Sequence, residues 1–236
     1  MTRTTDTPVP TPLYQVLVEI AGMWALAMAG YYLILPAFGY SISYNLHPVT
    51  LAIYFVFWSA ISVRYFWNVL SKWLRVDLWI VWYAVLSLAL AGILAILLFI
   101  FSLFPTFVTP LFSSYTDILF ATPWYFLPKA VEILLQQLLV TVLVLELSAR
   151  FDSLKKVIIT YAISFGAIHI FLFLFTGAPV VYATIMTTGA LLSALIFPRL
   201  ILRVHGGFVY AYVIQFAFYI FLAMFLHALP PPGYGV

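Results

Sequence analysis

Glu132 and His169 are ionisable residues that lie inside long apolar segments of this chain. In the hydrocarbon core of a bilayer such a group costs from about 3 to about 10 kcal/mol or more, unless it has a partner or a function. A carboxylate base, an imidazole and donors aimed at developing charge are the groups that acid–base catalysis requires. These two residues therefore define a candidate catalytic site, which the surrounding helices have to assemble.

The composition is that of a membrane protein with several spans. The 236 residues are 66% hydrophobic and 7% charged, whereas a soluble domain carries about a quarter charged residues. We therefore expect an all-α membrane protein, a bundle of about seven transmembrane helices, with room for an eighth in residues 105–126.

Seven apolar segments are long enough to cross a hydrocarbon core of about 30 Å, which takes about 20 residues of helix. Pro, Gly or charged residues separate them. The predicted spans are 13–36, 48–70, 78–104, 127–148, 156–176, 179–198 and 207–229. The joints between the last three are short, so these helices should be antiparallel neighbours.

The chain divides into five predicted regions. A polar cytoplasmic tail at 1–12 precedes three N-terminal spans at 13–104, and a four-helix core at 127–229 precedes a C-terminal tail at 230–236. Residues 105–126 are aromatic and broken by Pro, which favours an outer loop or a re-entrant segment. Either a lid over a site or an aromatic belt at the interface fits that composition.

Lys and Arg fall almost entirely in alternate loops, with Lys129 as the exception. The positive-inside rule then places the N-terminus in the cytoplasm and the C-terminus outside, most simply in the plasma membrane. The net charge of +3 comes from these loops. It favours contact with the lipid bilayer and gives no reason to expect nucleic acid as a partner.

Three further polar residues belong to the candidate site. Gln136 follows Glu132 by four residues and shares its helix face, and Gln215 and Tyr219 share a face on the last span. At 1.5 Å per residue, Glu132 lies roughly 8 Å and His169 roughly 10 Å from the same surface. Tyr219 lies roughly 15 Å deep and Gln215 roughly 20 Å. Glu132 and His169 can therefore meet, with Tyr219 nearer to them than Gln215.

Structural roles remain open for each of these residues. Glu132 can pair with Lys129 or extend toward the interface, and His169 can simply bond a neighbouring helix. Gln215 and Tyr219 can act as polar contacts between packed helices.

A metal site is the weaker hypothesis for the same groups. Glu132, His169 and His227 form a chemically adequate set of ligands for Zn²⁺. The chain has no H-E-x-x-H motif and the spacing of the three residues is unspecific. We therefore expect no bound cofactor.

Residues 127–223 resemble the conserved region of the CPBP (CAAX protease and bacteriocin-processing) family of intramembrane endopeptidases. That family carries EExxxR, FxxxH and HxxxN on successive helices. This chain has, in the same order, V-E-I-L-L-Q at Val131 to Gln136, F-G-A-I-H at Phe165 to His169 and Q-F-A-F-Y at Gln215 to Tyr219. The resemblance covers about two fifths of the chain.

The resemblance implies a site in which a Glu and two His activate water for attack on a peptide carbonyl. Only Glu132, Phe165 and His169 match the family pattern. The departures are Val131 for the first Glu, Gln136 for the Arg, Gln215 for the second His and Tyr219 for the Asn. Gln215 and Tyr219 can still donate hydrogen bonds to an oxyanion, but neither is a base at neutral pH.

Three functions follow from these residues. The favoured one is a non-catalytic binding or scaffold protein, a pseudoenzyme with part of the catalytic set lost. The first alternative is a divergent endopeptidase that uses Glu132 and His169 on a membrane-protein or peptide substrate. The second is a small transporter or channel, which the apolar run Leu138 to Leu145, broken only by Thr141, argues against.

Overall fold

The computed structural model describes residues 12–40, 42–73, 118, 121–176 and 180–228. For a few residues inside helices, His227 among them, it describes the backbone alone. All regular structure in these ranges is helical. The predicted third span at 78–104, most of 105–126 and the C-terminal tail lie outside the described residues.

The helices are numbered here along the chain. They are α1 (Leu13–Ala29, continued by a π-helical turn at Gly30–Ile34 and a last turn at Leu35–Ala37), α2 (Pro48–Tyr65), α3 (Trp67–Trp73), α4 (Phe126–Ser148, after a 3₁₀ turn at Pro123–Tyr125), α5 (Leu154–Thr176), α6 (Val180–Arg203) and α7 (Gly207–Ala228).

Six of the described helices are long and apolar enough to cross a membrane. They correspond to the predicted first, second, fourth, fifth, sixth and seventh spans. The predicted all-α membrane bundle is thereby confirmed, and the chain is an integral membrane protein.

Two predicted helix ends are wrong. The second span stops at Tyr65 instead of residue 70, because the helix is interrupted at Phe66 before α3 begins. The sixth span does not end at Pro198 but continues to Arg203. Pro removes one backbone hydrogen bond, and membrane helices tolerate that loss. The buried side chain of Ile201 secures the extra turn against the core.

Helix α4 is the centre of the bundle. It contacts every other described helix. Its membrane-spanning stretch is 67% buried, compared with 22–39% for the other five spans. A helix that is apolar on all sides is expected to be enclosed by others. Any polar side chain on α4 therefore needs a partner from within the protein.

Helices α5, α6 and α7 pack in chain order, with α6 contacting both neighbours. The turn from α6 to α7 is tight, and Gly206 adopts a positive φ of 73° there. At Gly207, an added Cβ would lie 1.8 Å from the Leu200 carbonyl oxygen. The pair of glycines is therefore what allows α7 to fold back against α6.

Replacing Gly207 with Ala should destabilise the bundle, because the methyl group would overlap the Leu200 backbone and force the turn to move. We expect a loss of at least about 2 kcal/mol, in the range of strained core substitutions. The measurement is unfolding in detergent, followed by tryptophan fluorescence. Gly22→Ala is the matched control, since nothing lies within 4 Å of its added Cβ. Equal stability of the two variants would contradict the close contact.

Candidate functional site

The Glu132 carboxylate is buried and bound by three donors. Lys129 forms an ion pair with Oε2, and the Tyr44 hydroxyl donates to the same oxygen at 2.8 Å. Gln136 Nε2 donates to Oε1 at 2.9 Å. Only 5% of Glu132 is exposed. The charge is therefore compensated and both oxygens are hydrogen-bonded without water.

The Lys129 ammonium lies close to three aromatic rings as well as to Glu132. It lies 4.6 Å from the ring centre of Tyr44, 4.7 Å from that of Tyr219 and 5.7 Å from that of Tyr125. Cation–π contacts of this kind contribute from about 0.5 to about 2 kcal/mol, the larger value when water is excluded. Pairing of Glu132 with Lys129, one of the roles the sequence left open, is confirmed.

Tyr44 brings the segment between α1 and α2 onto this pair. Burial, together with the nearby Glu132 carboxylate, raises the pKa of the Tyr44 phenol well above its usual value. Its hydroxyl therefore stays protonated and remains a donor. The segment is also fixed at Asn45, whose Oδ1 accepts a hydrogen bond of 2.8 Å from the backbone N–H of Thr122.

Three glutamine side chains extend the network from Glu132 to α7. Gln137 donates to Gln215 at 2.5 Å, and Gln215 donates to Gln136 at 2.6 Å. Gln136 in turn donates to Glu132. Every donor in this series points toward the carboxylate, so each amide dipole strengthens the next bond. Gln215 therefore serves as a polar contact between α4 and α7.

His169 has a different environment from Glu132. Its Nδ1 lies 2.9 Å from the Phe165 carbonyl oxygen, which can only accept, so Nδ1 carries the proton. In the neutral ring Nε2 is then an acceptor. The ring packs 5.1 Å from Trp24 and 4.5 Å from Phe165, measured between ring centres.

Glu132 and His169 line the same cavity, as their matched depths predict. Its volume is about 40 Å³, and one water needs roughly 10–15 Å³, so a few molecules fit. Tyr219 and Gln136 also line it, whereas Gln215 lines a neighbouring cleft between α5, α6 and α7.

Val131, which the resemblance to the CPBP family would align with the first motif Glu, packs against the hydrophobic core. The carboxylate that lines the cavity together with His169 is that of Glu132.

The described residues contain no group of three His, Asp or Glu side chains that could hold a metal ion. The side chain of His227 lies outside the described residues, so the weaker Zn²⁺ hypothesis stays a prediction.

Two members of the site, Tyr44 and Trp24, were not predicted from the sequence. Pairing of Lys129 with Glu132 was among the open alternatives, and their i,i+3 spacing on one helix was the signal for it. Tyr44 and Trp24 gave none, because their contacts depend on how distant helices pack. Trp24 also lines the cavity, and its buried Nε1 has no hydrogen-bond partner among the described residues.

In comparisons with protein-family models, curated proteins and solved structures, no match to this chain was found.

Breaking the buried ion pair should destabilise the protein, because the remaining charge would be uncompensated. We expect Glu132→Gln and Lys129→Met each to lose about 3–5 kcal/mol, and the double variant to lose less than their sum. Denaturant unfolding of the four proteins in detergent gives this coupling. The less buried pair of Glu146 and Arg150 supplies the control, where Glu146→Gln should cost less than about 1 kcal/mol. Additive losses at Lys129 and Glu132 would contradict the network.

Proposed function

We propose that this chain is a non-catalytic binding or scaffold protein of the membrane, with a CPBP-like core at 127–229 whose catalytic set is partly lost. The proposal rests on one observation, that both oxygens of the Glu132 carboxylate are already bound by other side chains of the protein. A general base needs a lone pair within reach of the proton that it takes. Here Lys129, Tyr44 and Gln136 already bind the two carboxylate oxygens.

The altered motif positions support the same proposal. Val131 packs in the core, and the amides of Gln136 and Gln215 bond each other. Of the residues that line the cavity, His169 is the one imidazole, and its described hydrogen bond is to the Phe165 carbonyl oxygen. The family mechanism needs a second imidazole, and Gln215 at that position tethers α7 to α4.

The proposal also covers the membrane in which the protein lies and the kind of partner that it binds. The distribution of Lys and Arg supports an N-terminus in the cytoplasm and a C-terminus outside, and the proposal places the protein in the plasma membrane. A partner would approach within the bilayer, as a membrane protein or an apolar peptide, because the described helices expose mainly apolar side chains.

A divergent endopeptidase is the second candidate, and the cavity favours it. His169 and Glu132 line a cavity large enough for water, and His169 and Tyr219 also line the cleft between α5, α6 and α7. In this alternative His169 and Glu132 activate the water, and Tyr219 donates to the developing oxyanion.

A cleavage assay separates the two candidates. The protein is reconstituted in liposomes with a fluorescence-quenched transmembrane peptide, beside Glu132→Gln and His169→Ala. We expect the wild type to cleave no faster than either variant, because its carboxylate is not free to act as a base. Glu146→Gln is the control and should match the wild type. Cleavage that only the wild type and Glu146→Gln perform would overturn the proposal.

The stability of the same variants gives an independent test. Active-site residues commonly reduce stability, so replacing them tends to stabilise an enzyme. In a structural network the sign is opposite, and Glu132→Gln should lower the unfolding temperature. Thermal unfolding in detergent measures it. A Glu132→Gln variant more stable than the wild type would favour the endopeptidase.

A further inference from the structure

Four cations lie at one end of the helix pair α5 and α6. Lys155 and Lys156 begin α5, and Arg199 and Arg203 lie in the last two turns of α6. All four are exposed, and none forms an ion pair with a carboxylate among the described residues. No acidic residue follows Asp152 in the sequence, so α5 and α6 contain none. This end of the pair therefore carries positive charge that the described residues leave without a counter-ion.

Two contacts fix how α5 and α6 align. Near the end of α5 and the start of α6, the rings of Phe173 and Tyr182 lie 5.7 Å apart, measured between centres. Toward the opposite end of the pair, the Tyr161 hydroxyl lies 3.2 Å from Ser193 Oγ. Positions that come earlier on α5 thus face positions that come later on α6. The two helices are antiparallel, and the start of α5 lies beside the end of α6.

This alignment brings the cations of the two helices to one level. Lys155 comes six residues before Tyr161, and Arg199 comes six residues after Ser193. Both positions therefore lie about 9 Å beyond that contact, in the same direction. Arg203 follows Arg199 by four residues and shares its helix face, where like charges repel each other.

The start of α5 adds to the same positive field. The first turn of a helix has unpaired N–H groups and the positive end of the helix dipole, which favour acidic side chains. The first turn of α5 has none and carries Lys155 and Lys156 instead. A bound anion would remove both this unfavourable interaction and the repulsion between the two helix ends.

The surface next to the cations, toward the middle of the membrane, is apolar. Leu195 lies one turn before Arg199 on α6 and is 49% exposed, and Ile159 lies one turn after Lys155 on α5 and is 48% exposed. The four-residue spacing places each apolar side chain on the helix face of its cation. Charge at the end of a span and an apolar surface beside it match the headgroup and the acyl chains of a lipid, whereas a soluble anion would use only the charge.

We propose that the paired ends of α5 and α6 bind a phospholipid whose headgroup carries two phosphate groups. The phosphates lie between the lysines of α5 and the arginines of α6, and the acyl chains lie along Ile159 and Leu195. Two phosphates neutralise half of the four charges, whereas a headgroup with one phosphate would neutralise a quarter. Basic pockets between membrane helices bind lipids of this class. The inference goes beyond the proposed function, because none of these residues lines the polar cavity.

Native mass spectrometry of the full chain, released from detergent micelles, tests this site. The probes are tetraoleoyl cardiolipin, which has two phosphates, and dioleoyl phosphatidylglycerol, which has one and is added at twice the concentration to match total phosphate. We expect cardiolipin to bind at least about tenfold more tightly, since its second phosphate adds contacts with two cations that each contribute about fivefold. Inorganic pyrophosphate has two phosphates and no acyl chains, and an excess of it should not displace cardiolipin.

Removal of single charges locates the site. Lys155→Gln and Arg199→Gln should each weaken cardiolipin binding about fivefold, the contribution of one cation near the membrane surface. Arg64→Gln is the matched control, because Arg64 is an exposed cation in the last turn of α2. This control should bind as the wild type does. Because the three residues are exposed, each variant should keep the unfolding temperature of the wild type.

Equal binding of the two lipids at matched phosphate would overturn the inference, because it would indicate a general attraction of positive charge to anionic lipid. Displacement of cardiolipin by pyrophosphate, or an equal loss of binding in Arg64→Gln, would also overturn it. The peptide-cleavage assay concerns the polar cavity alone, so its outcome decides the proposed function and leaves this inference unaffected.

Discussion

A carboxylate enclosed by the central helix of a membrane bundle must be neutralised and hydrogen-bonded, and the described structure is organised by this requirement. Lys129 supplies the opposite charge, and Tyr44 supplies a hydroxyl from the segment between α1 and α2. Gln136 supplies an amide that Gln215 of α7 in turn supports. Because α4 contacts every other described helix, satisfying one carboxylate fixes a loop and a distant helix at once.

Glu132 and His169 differ in how many hydrogen bonds hold their side chains. Glu132 is bound on both oxygens by donors from three side chains, an arrangement that favours rigidity over proton transfer. His169 makes one hydrogen bond to its own helix and otherwise contacts aromatic rings. The cavity between them is large enough for water. A carboxylate and an imidazole thus line one cavity, and the carboxylate is the more extensively hydrogen-bonded of the two.

Sequence reasoning succeeded where the physics is local or follows from bilayer thickness. Apolar runs of about 20 residues predicted the six described spans, and matched depth predicted that Glu132 and His169 share a cavity. It failed where tertiary packing decides. Tyr44 and Glu132 are 88 residues apart along the chain, and no periodicity in the sequence predicts their contact. Pro198 normally marks a helix end, but the packing of the following turn overrides it. The likeness to the CPBP family stays a prediction.

The ion pair also bears on how the protein enters the membrane. Lys129 and Glu132 stand three residues apart on one helix, so their charges can cancel before any other helix arrives. On insertion scales each unpaired charge at the centre of a helix costs about 2.5–3.5 kcal/mol. If the two charges lay on different helices, each helix would carry an unpaired charge while it was inserted into the membrane. With both charges on α4, the pair of Lys129 and Glu132 is electrically neutral before the loop or α7 contacts it.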